Sequence, residues 1–283
     1  MALESDRTRP PRAGRVERVL VRRYDADGTT RRTPDDLIVE EPLAIELDGV
    51  RVATTMRTPG HDFELAAGFC FTDGLLAGAP VLRCRYCGNG SAYDTDYNVV
   101  TVHTGGRAPT PTARLTTTSS SCGLCGSTTI DELADRLDAL SGVAPFPLEL
   151  LVDLPERARE HQPLFARTGA VHAAAAFDRD GEMVVLREDI GRHNAVDKVV
   201  GSLLLEGRLE PVEGRTPTAD MALYVSGRAS FEMVQKAWAA GFAAVVAVSA
   251  PSALAVRTAN QANLQLAGFV RQGRMNVYSP GGA

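Results

Sequence analysis

The chain has 283 residues, 44% hydrophobic and 23% charged, enough apolar material for one large or two ordinary soluble domains that need no covalent staples. Its 30 Lys and Arg stand against 35 Asp and Glu, and the net charge of −5 argues against nucleic acid or an anionic membrane as a general partner, leaving only local anion sites. No apolar run reaches the roughly 18 residues of a membrane span, the N-terminal MALESDRTRPPRAGRVE lacks a signal peptide's apolar stretch, and five cysteines, an odd number, predict the reducing cytoplasm.

In chain order, residues 1–14 are polar, contain prolines and carry no apolar period, which predicts a disordered tail. RVLVRRYD and DLIVEEPLAIELDGVRVATTMRT alternate apolar and polar residues around turns at Asp27-Gly28 and Asp48-Gly49-Val50, predicting antiparallel strands in one small sheet. After Thr58-Pro59-Gly60, HDFELAAGFCFTDGLL places Phe63, Ala66, Ala67, Cys70 and Phe71 on one helical face and ends near Gly74, so Cys70 reads as a core residue. RCRYCGNGSAYD is rich in turn residues, and YNVVTVHTG predicts a further strand. GGRAPTPT, 105–112, reads as a linker between a strand-rich domain with one helix, 15–115, and a second domain, 116–283.

The second half has another grammar. GAVHAAAAFD and GEMVVLRED predict a hairpin around Asp180-Gly181, HNAVDKVVGSLLLEG a helix, MALYVSGR a strand and SFEMVQKAWAAG a helix. AAVVAVSA then reads as an apolar strand, PSALAVRTANQAN as a helix with proline near its first turn, and LQLAGFVRQGRMNVYS as a final hairpin. Strands alternating with helices predict an α/β sandwich with a mixed sheet, and with the strand-rich first half an α+β protein overall.

SSSCGLCGSTTIDELADRL places Cys122 and Cys125 directly before an amphipathic helical pattern. A thiol at a helix N-terminus feels unpaired N–H groups and the positive end of the dipole, which favours the reactive thiolate. Gly123 and Gly126 strip bulk from beside both sulfurs. A relay that carries sulfane sulfur as a persulfide fits this setting, but two structural thiols also fit, as does a zinc site shared with the second pair, Cys84 and Cys87. The 34 residues between Cys87 and Cys122 exceed a zinc ribbon's spacing. A thioredoxin-like pair would follow an apolar strand, whereas TARLTTTSSS is polar. A zinc deaminase needs P-C-x-x-C and H-x-E, but Ser121 precedes Cys122, and His172 is followed by Ala173 and Ala174. A hydrolase lacks its G-x-S-x-G.

Three segments could hold an anion. YVSGRASFEMV runs from strand through Gly227, Arg228 and Ser230 into a helix, gathering amides, a cation and hydroxyls at a helix start, although a tight turn with Ser230 as N-cap reads equally well. LREDIGRHNAVDKVVG concentrates Asp189, Arg192, His193, Asn194, Asp197 and Lys198, groups that must meet a ligand or one another if buried. GFVRQGRMNVY sets Arg271 and Arg274 about a glycine turn.

RTPGHDFELAAGFCFTDGLL, SSSCGLCG, GAVHAAAAFD with LREDIGRHNAVDKVVG, and YVSGRASFEMVQKAWAAGF continuing to GFVRQGRMNVYS together resemble the formate dehydrogenase accessory sulfurtransferase family, FdhD. The resemblance implies a cytoplasmic, dimeric sulfur carrier that takes sulfur from a cysteine desulfurase. It would deliver that sulfur to the molybdenum bis(molybdopterin guanine dinucleotide) cofactor of formate dehydrogenase. It also implies a cytidine-deaminase-like C-terminal domain without deaminase chemistry. By the same resemblance Cys122 matches the persulfide-bearing position, Cys125 its partner, and Phe269, Val270, Arg271, Gln272, Gly273 and Arg274 the cofactor-binding segment. Arg192, His193, Gly227, Arg228 and Ser230 are assigned to the nucleotide mainly on their physical setting. The Cys84/Cys87 pair is an addition to the family pattern, and the zinc-binding or deaminase-like alternative rests on it.

Overall fold

The computed structural model describes residues 14–86, 98–111, 137–210 and 216–281. β1 (Val16–Tyr24) and β2 (Thr30–Ile38) form an antiparallel ribbon that pairs with no other strand among the described residues. β3 (Glu41–Leu47), β4 (Val50–Arg57), β5 (Arg83–Tyr86) and β6 (Val99–His103) make a second sheet in the order β4-β3-β6-β5. The single small sheet expected from the sequence is therefore two. In β3 the alternating Leu43, Ile45 and Leu47 are fully buried, whereas β2 reads TRRTPDDLI and has no apolar face to commit to a core. The β3–β4 turn uses positive φ at Asp48 and Gly49, the two-residue geometry that matches strand twist.

Six helices follow in the described residues: α1 (Asp62–Thr72), α2 (Leu148–Arg159), α3 (Pro163–Thr168), α4 (Arg192–Leu205), α5 (Phe231–Ala239) and α6 (Ala253–Gln261). A six-stranded sheet has the order β12-β11-β10-β9-β7-β8. Its strands are β7 (His172–Phe177), β8 (Met183–Asp189), β9 (Ala222–Val225), β10 (Ala244–Ala247), β11 (Gln265–Arg271) and β12 (Arg274–Ser279). β9, β10 and β11 run parallel, and β7, β8 and β12 are antiparallel to their neighbours, the mixed sheet that the second half predicts. α4, α5 and α6 cover one face through residues such as Val199, Met233 and Ala255; α2 covers the other with Leu151, Leu154 and Ala158. Burial on both faces is why strands such as AVVA carry no polar alternation. Pro251 precedes the N-cap of α6 rather than entering its first turn; Ser252 caps that helix, its Oγ accepting from the Ala255 N–H at 3.1 Å.

α1 is buried on two sides, not on the single face expected. Leu65, Ala66 and Cys70 pack on the β3–β6 sheet, while Glu64, Gly68 and Thr72, four residues apart, face α4. A Cβ at Gly68 would fall 1.9 Å from the Asp197 carbonyl oxygen, and one at Gly201 1.8 Å from that of Glu64. The two glycines let the helix backbones touch, each at the other's crossing point.

The charges of LREDIGRHNAVDKVVG meet one another and the first half of the chain. Asp189, fully buried, accepts from Lys198 Nζ at 2.6 Å, Gly191 N–H at 2.8 Å, Asn194 Nδ2 at 3.0 Å and Thr58 N–H at 3.1 Å. Asp197 accepts from Lys236 Nζ at 2.8 Å and Thr72 Oγ1 at 2.8 Å. Of the residues singled out in that segment, Arg192 and His193 take no part in these bonds.

Candidate functional site

The carboxyl ends of parallel β9, β10 and β11 lie at one sheet edge, beside the start of β7 and the end of β8, because β7 runs against both its neighbours. Ligands of open α/β sheets occupy such a crevice. Here a cavity of about 500 Å³ opens between that edge and α2–α3. Tyr224, Ser226, Val248, Val270 and Arg271 line it from the strand ends, His172 and Ile190 from β7 and the end of β8, and Glu156, Arg159, Gln162 and Phe165 from the helices.

His172 Nδ1 sits 3.3 Å from Ser226 Oγ, which accepts from the Ala173 N–H at 2.9 Å. Burial pushes the imidazole below its ordinary value, Arg192 and His193 push the same way, and Asp189 opposes them. His172 is therefore neutral at pH 7, able to donate from one ring nitrogen and accept at the other. A Cβ on Gly227 would touch the His172 ring at 3.4 Å and Arg192 Cδ at 3.6 Å, so bare backbone passes between the two side chains.

Two helices start at this edge. α4 begins at Arg192 after Gly191, with no side-chain cap, and Arg192 Nε is buried without a hydrogen-bond partner among the described residues. α5 begins after Ser230, which holds the expected N-cap position but makes no cap hydrogen bond; its Oγ is also buried and unpartnered among the described residues. His193 of α4 contacts the Glu232 carboxylate of α5 and ties the two starts together. Two helix starts without side-chain caps, with a guanidinium and a hydroxyl beside them, can receive an anion.

The segment Phe269–Arg274 is the β11–β12 hairpin tip. Phe269 has φ 55° and bulges outward, Val270 is fully buried in the cavity wall, and Arg271 stands at the rim. Gln272 and Gly273, φ 52° and 66°, make the turn, and Arg274 pairs with Arg271 across the ladder. The Gln272 N–H donates to Glu156 Oε1 at 3.3 Å, closing the tip on α2. The fold thus joins Val270 and Arg271 with His172 and Ser226, and through Gly227 with Arg192. Of the expected binding residues only Val270 and Arg271 line the cavity; Arg192, His193, Gly227, Arg228, Ser230, Phe269, Gln272, Gly273 and Arg274 stand outside its lining.

Sequence reading missed the helical wall. It also treated His172 only as the place where a deaminase motif fails. Gln162 and Tyr224 are buried and hydrogen-bonded to each other, and burial raises the phenol above its ordinary range. Tyr224 and Ser226 flank Val225 in the strand-to-helix connection YVSGR, the signal that could have placed them.

Cys122, Cys125 and Cys87, with the helix expected after CGLCG, lie outside the described residues. Cys70 is fully buried in the α1 cluster, as expected, and Cys84 is half-buried beside it on β5. Burial pushes the Cys84 thiol up to about 12.

A mixed α/β sheet with a crevice at the carboxyl ends of its parallel strands is the arrangement in which open α/β sheets hold their ligands. The FdhD/NarQ family model matches residues 38–282, and the chain belongs to that family. It is 49% identical over 263 residues to the sulfur carrier protein FdhD of Streptomyces coelicolor, covering 89% of this chain and 90% of that one. The protein of that name from Corynebacterium efficiens is 44% identical over 256 residues, 87% of this chain and 90% of its own. Among solved structures, one described as a formate dehydrogenase accessory protein from Desulfotalea psychrophila superposes with a TM-score of 0.71 at 24% identity, over 94% of this chain and 97% of that one. That likeness bears on the fold. No helix among the described residues is long and apolar enough to cross a membrane.

Proposed function

We propose that the chain is a cytoplasmic, homodimeric sulfur carrier serving formate dehydrogenase, with Cys122 as the loaded thiol and Cys125 assisting it. In the loading step the Cys122 thiolate attacks the terminal sulfur of a cysteine desulfurase persulfide. A sulfur–sulfur bond forms at Cys122, the one on the desulfurase breaks, and the desulfurase leaves as a thiolate. The substrate that receives the sulfur is the molybdenum bis(molybdopterin guanine dinucleotide) cofactor, and the crevice is where its nucleotide end docks.

The observation that carries this reading is that His172 and Arg271 line one cavity at the carboxyl ends of the parallel strands, with Gly227 and Arg192 packed beside His172 at two helix starts, in a chain from a family with members named sulfur carriers. In a protein of net charge −5 these are concentrated donors. Gly227 lets a phosphate approach backbone, and the Arg192 Nε proton has no partner among the described residues to give up. His172 stays neutral, so it contributes hydrogen bonds rather than charge. Arg228, Ser230, His193 and the remaining hairpin-tip residues form the outer part of the same surface.

Loading is tested by incubating the protein with a desulfurase and cysteine and mapping peptides by mass spectrometry. The expected result is a gain of one sulfur on the peptide containing Cys122, absent from Cys122→Ala. Sulfur on no peptide, or unchanged formate dehydrogenase activity in a strain carrying only Cys122→Ala, refutes the reading.

A further inference from the structure

β8 is an edge strand of the six-stranded sheet, and its last ladder pair sets Asp189 opposite His172. Ile190, one residue further, lines the crevice, yet its N–H lies past the ladder and β8 has no strand on its outer side among the described residues. A strand end of this kind frays unless other groups take its backbone polar atoms. Here the first half of the chain takes them. Thr58 Oγ1 accepts from the Ile190 N–H at 3.1 Å, the Thr58 N–H donates to Asp189 Oδ2 at 3.1 Å, and the Thr58 carbonyl accepts from Lys198 Nζ at 2.9 Å.

Thr58 is itself firmly mounted. It is 1% exposed, and the residue before it, Arg57, is buried with its guanidinium donating to Glu41 at 2.9 Å and to Asp62 at 3.0 Å. Pro59 after it restricts its backbone to extended conformations. Two residues back, the Met56 carbonyl accepts from Asn194 Nδ2 at 2.8 Å, so the same stretch grips the first turn of α4. The end of β4 thus sets a fixed hydroxyl on the backbone of a crevice residue.

We infer that Thr58 is a positioning residue for the crevice: its hydroxyl pins Ile190 and, through the Asp189–His172 pair, the imidazole against which the ligand docks. The nature of that ligand rests on the carrier reading above. Thr58 is not part of the cavity lining, so it acts through Ile190 and His172. Joining the two halves of the chain needs only the backbone groups of Thr58, which any residue but proline supplies, whereas the bond to Ile190 needs the hydroxyl. Serine keeps that hydroxyl; valine, with the shape of threonine, does not.

The test compares wild type, Thr58→Val and Thr58→Ser by GDP titration, by the NMR titration of His172 and by amide exchange at Ile190. In the wild type the Ile190 amide should exchange slowly. In Thr58→Val the end of β8 is released, and if it holds the binding geometry about a tenth of the time, GDP affinity falls about tenfold. His172 faces Arg192, His193 and Asp189, and burial is the chief cause of its low titration, so water admitted by the release moves it up toward 6.5. Thr58→Ser should keep the wild-type affinity and titration. Both substitutions cost stability, serine through the lost methyl and valine through the stranded N–H, so a purely structural role would lower both melting points and leave His172 where it was. Fast exchange at Ile190 in the wild type overturns the inference even where Thr58→Val does not fold. An unmoved His172 in Thr58→Val also overturns it, as does a Thr58→Ser protein as impaired as Thr58→Val. If the wild type ignores GDP while Thr58→Val still moves His172, the positioning stands and the nucleotide reading of the crevice fails; if the wild type binds GDP and Thr58→Val changes neither readout, the positioning alone fails.

Discussion

Replacing Gly68 by alanine sets two effects of opposite sign against each other. Alanine in a helix interior is favoured over glycine by about 1 kcal/mol. Against that, the new Cβ lies 1.9 Å from the Asp197 carbonyl oxygen, which belongs to helix backbone and cannot rotate away. Contact distance is about 3.5 Å, so α1 and α4 must separate by roughly 1.6 Å. Overpacking of this kind costs about 1 to 3 kcal/mol, here toward the upper end because backbone meets backbone. The separation also pulls Thr72 from its 2.8 Å hydrogen bond to Asp197, and a buried bond to a charged group contributes about 1.5 to 3 kcal/mol. The net expectation is a loss of about 2.5 to 5 kcal/mol. Trp238, the single tryptophan, is buried in α5 and reports the transition by fluorescence in a urea melt. Gly201→Ala should cost a similar amount, and the double variant less than the sum, since one separation makes room for both methyls. A midpoint for Gly68→Ala at or above that of wild type would refute the close-crossing argument and leave helix propensity in charge.

Three further outcomes are expected. Burial alone would raise Glu64, but Arg187, at 2.5 and 2.8 Å, and His61 more than offset it and hold its carboxyl below the usual 4.5. Its contribution is therefore complete above that value and lost as pH falls through the lower folded one; Glu64→Gln should flatten the acid limb of a stability profile, and an unchanged limb contradicts this. His172 should titrate below 6.5 by NMR, and Arg192→Ala should raise it by removing a neighbouring positive charge; titration at or above 6.5 in the wild type contradicts the burial argument. In a GDP titration Arg271→Ala, which removes a cation from the cavity lining, and Arg192→Ala, which removes a guanidinium whose buried Nε has no partner among the described residues, should each weaken binding about tenfold; unchanged affinity in both would refute this placement of the nucleotide.

The elements that carry strong local signals were legible. Asp27-Gly28, Asp48-Gly49 and Asp180-Gly181 each mark a hairpin, and α4, α5 and α6 follow their apolar periods. α2 escaped because Pro145, Pro147 and Pro155 punctuate its sequence; Pro155 is nevertheless buried inside the helix, held by packing against the sheet. The glycines of α1 and α4 read locally as helix weakeners, and their use appears only when two distant segments meet. The same holds for the site. Arg192, Gly227 and Arg271 were each visible as donors, but their convergence with His172 and with the Gln162–Tyr224 wall depends on strand order, which no local pattern encodes. Asp189, Asn194 and Lys198 looked like ligands in waiting and turn out to satisfy one another.

The stripe Glu64, Gly68 and Thr72 also bears on how the chain is made. Thr72 is bonded to Lys236, 164 residues further on, and at ribosomal rates that residue emerges on the order of ten to thirty seconds later. Throughout that interval the stripe of α1 that awaits α4 is a carboxylate, a glycine and a hydroxyl, which water satisfies, and Phe71, which later packs on the second-half core, is the apolar group left waiting beside it.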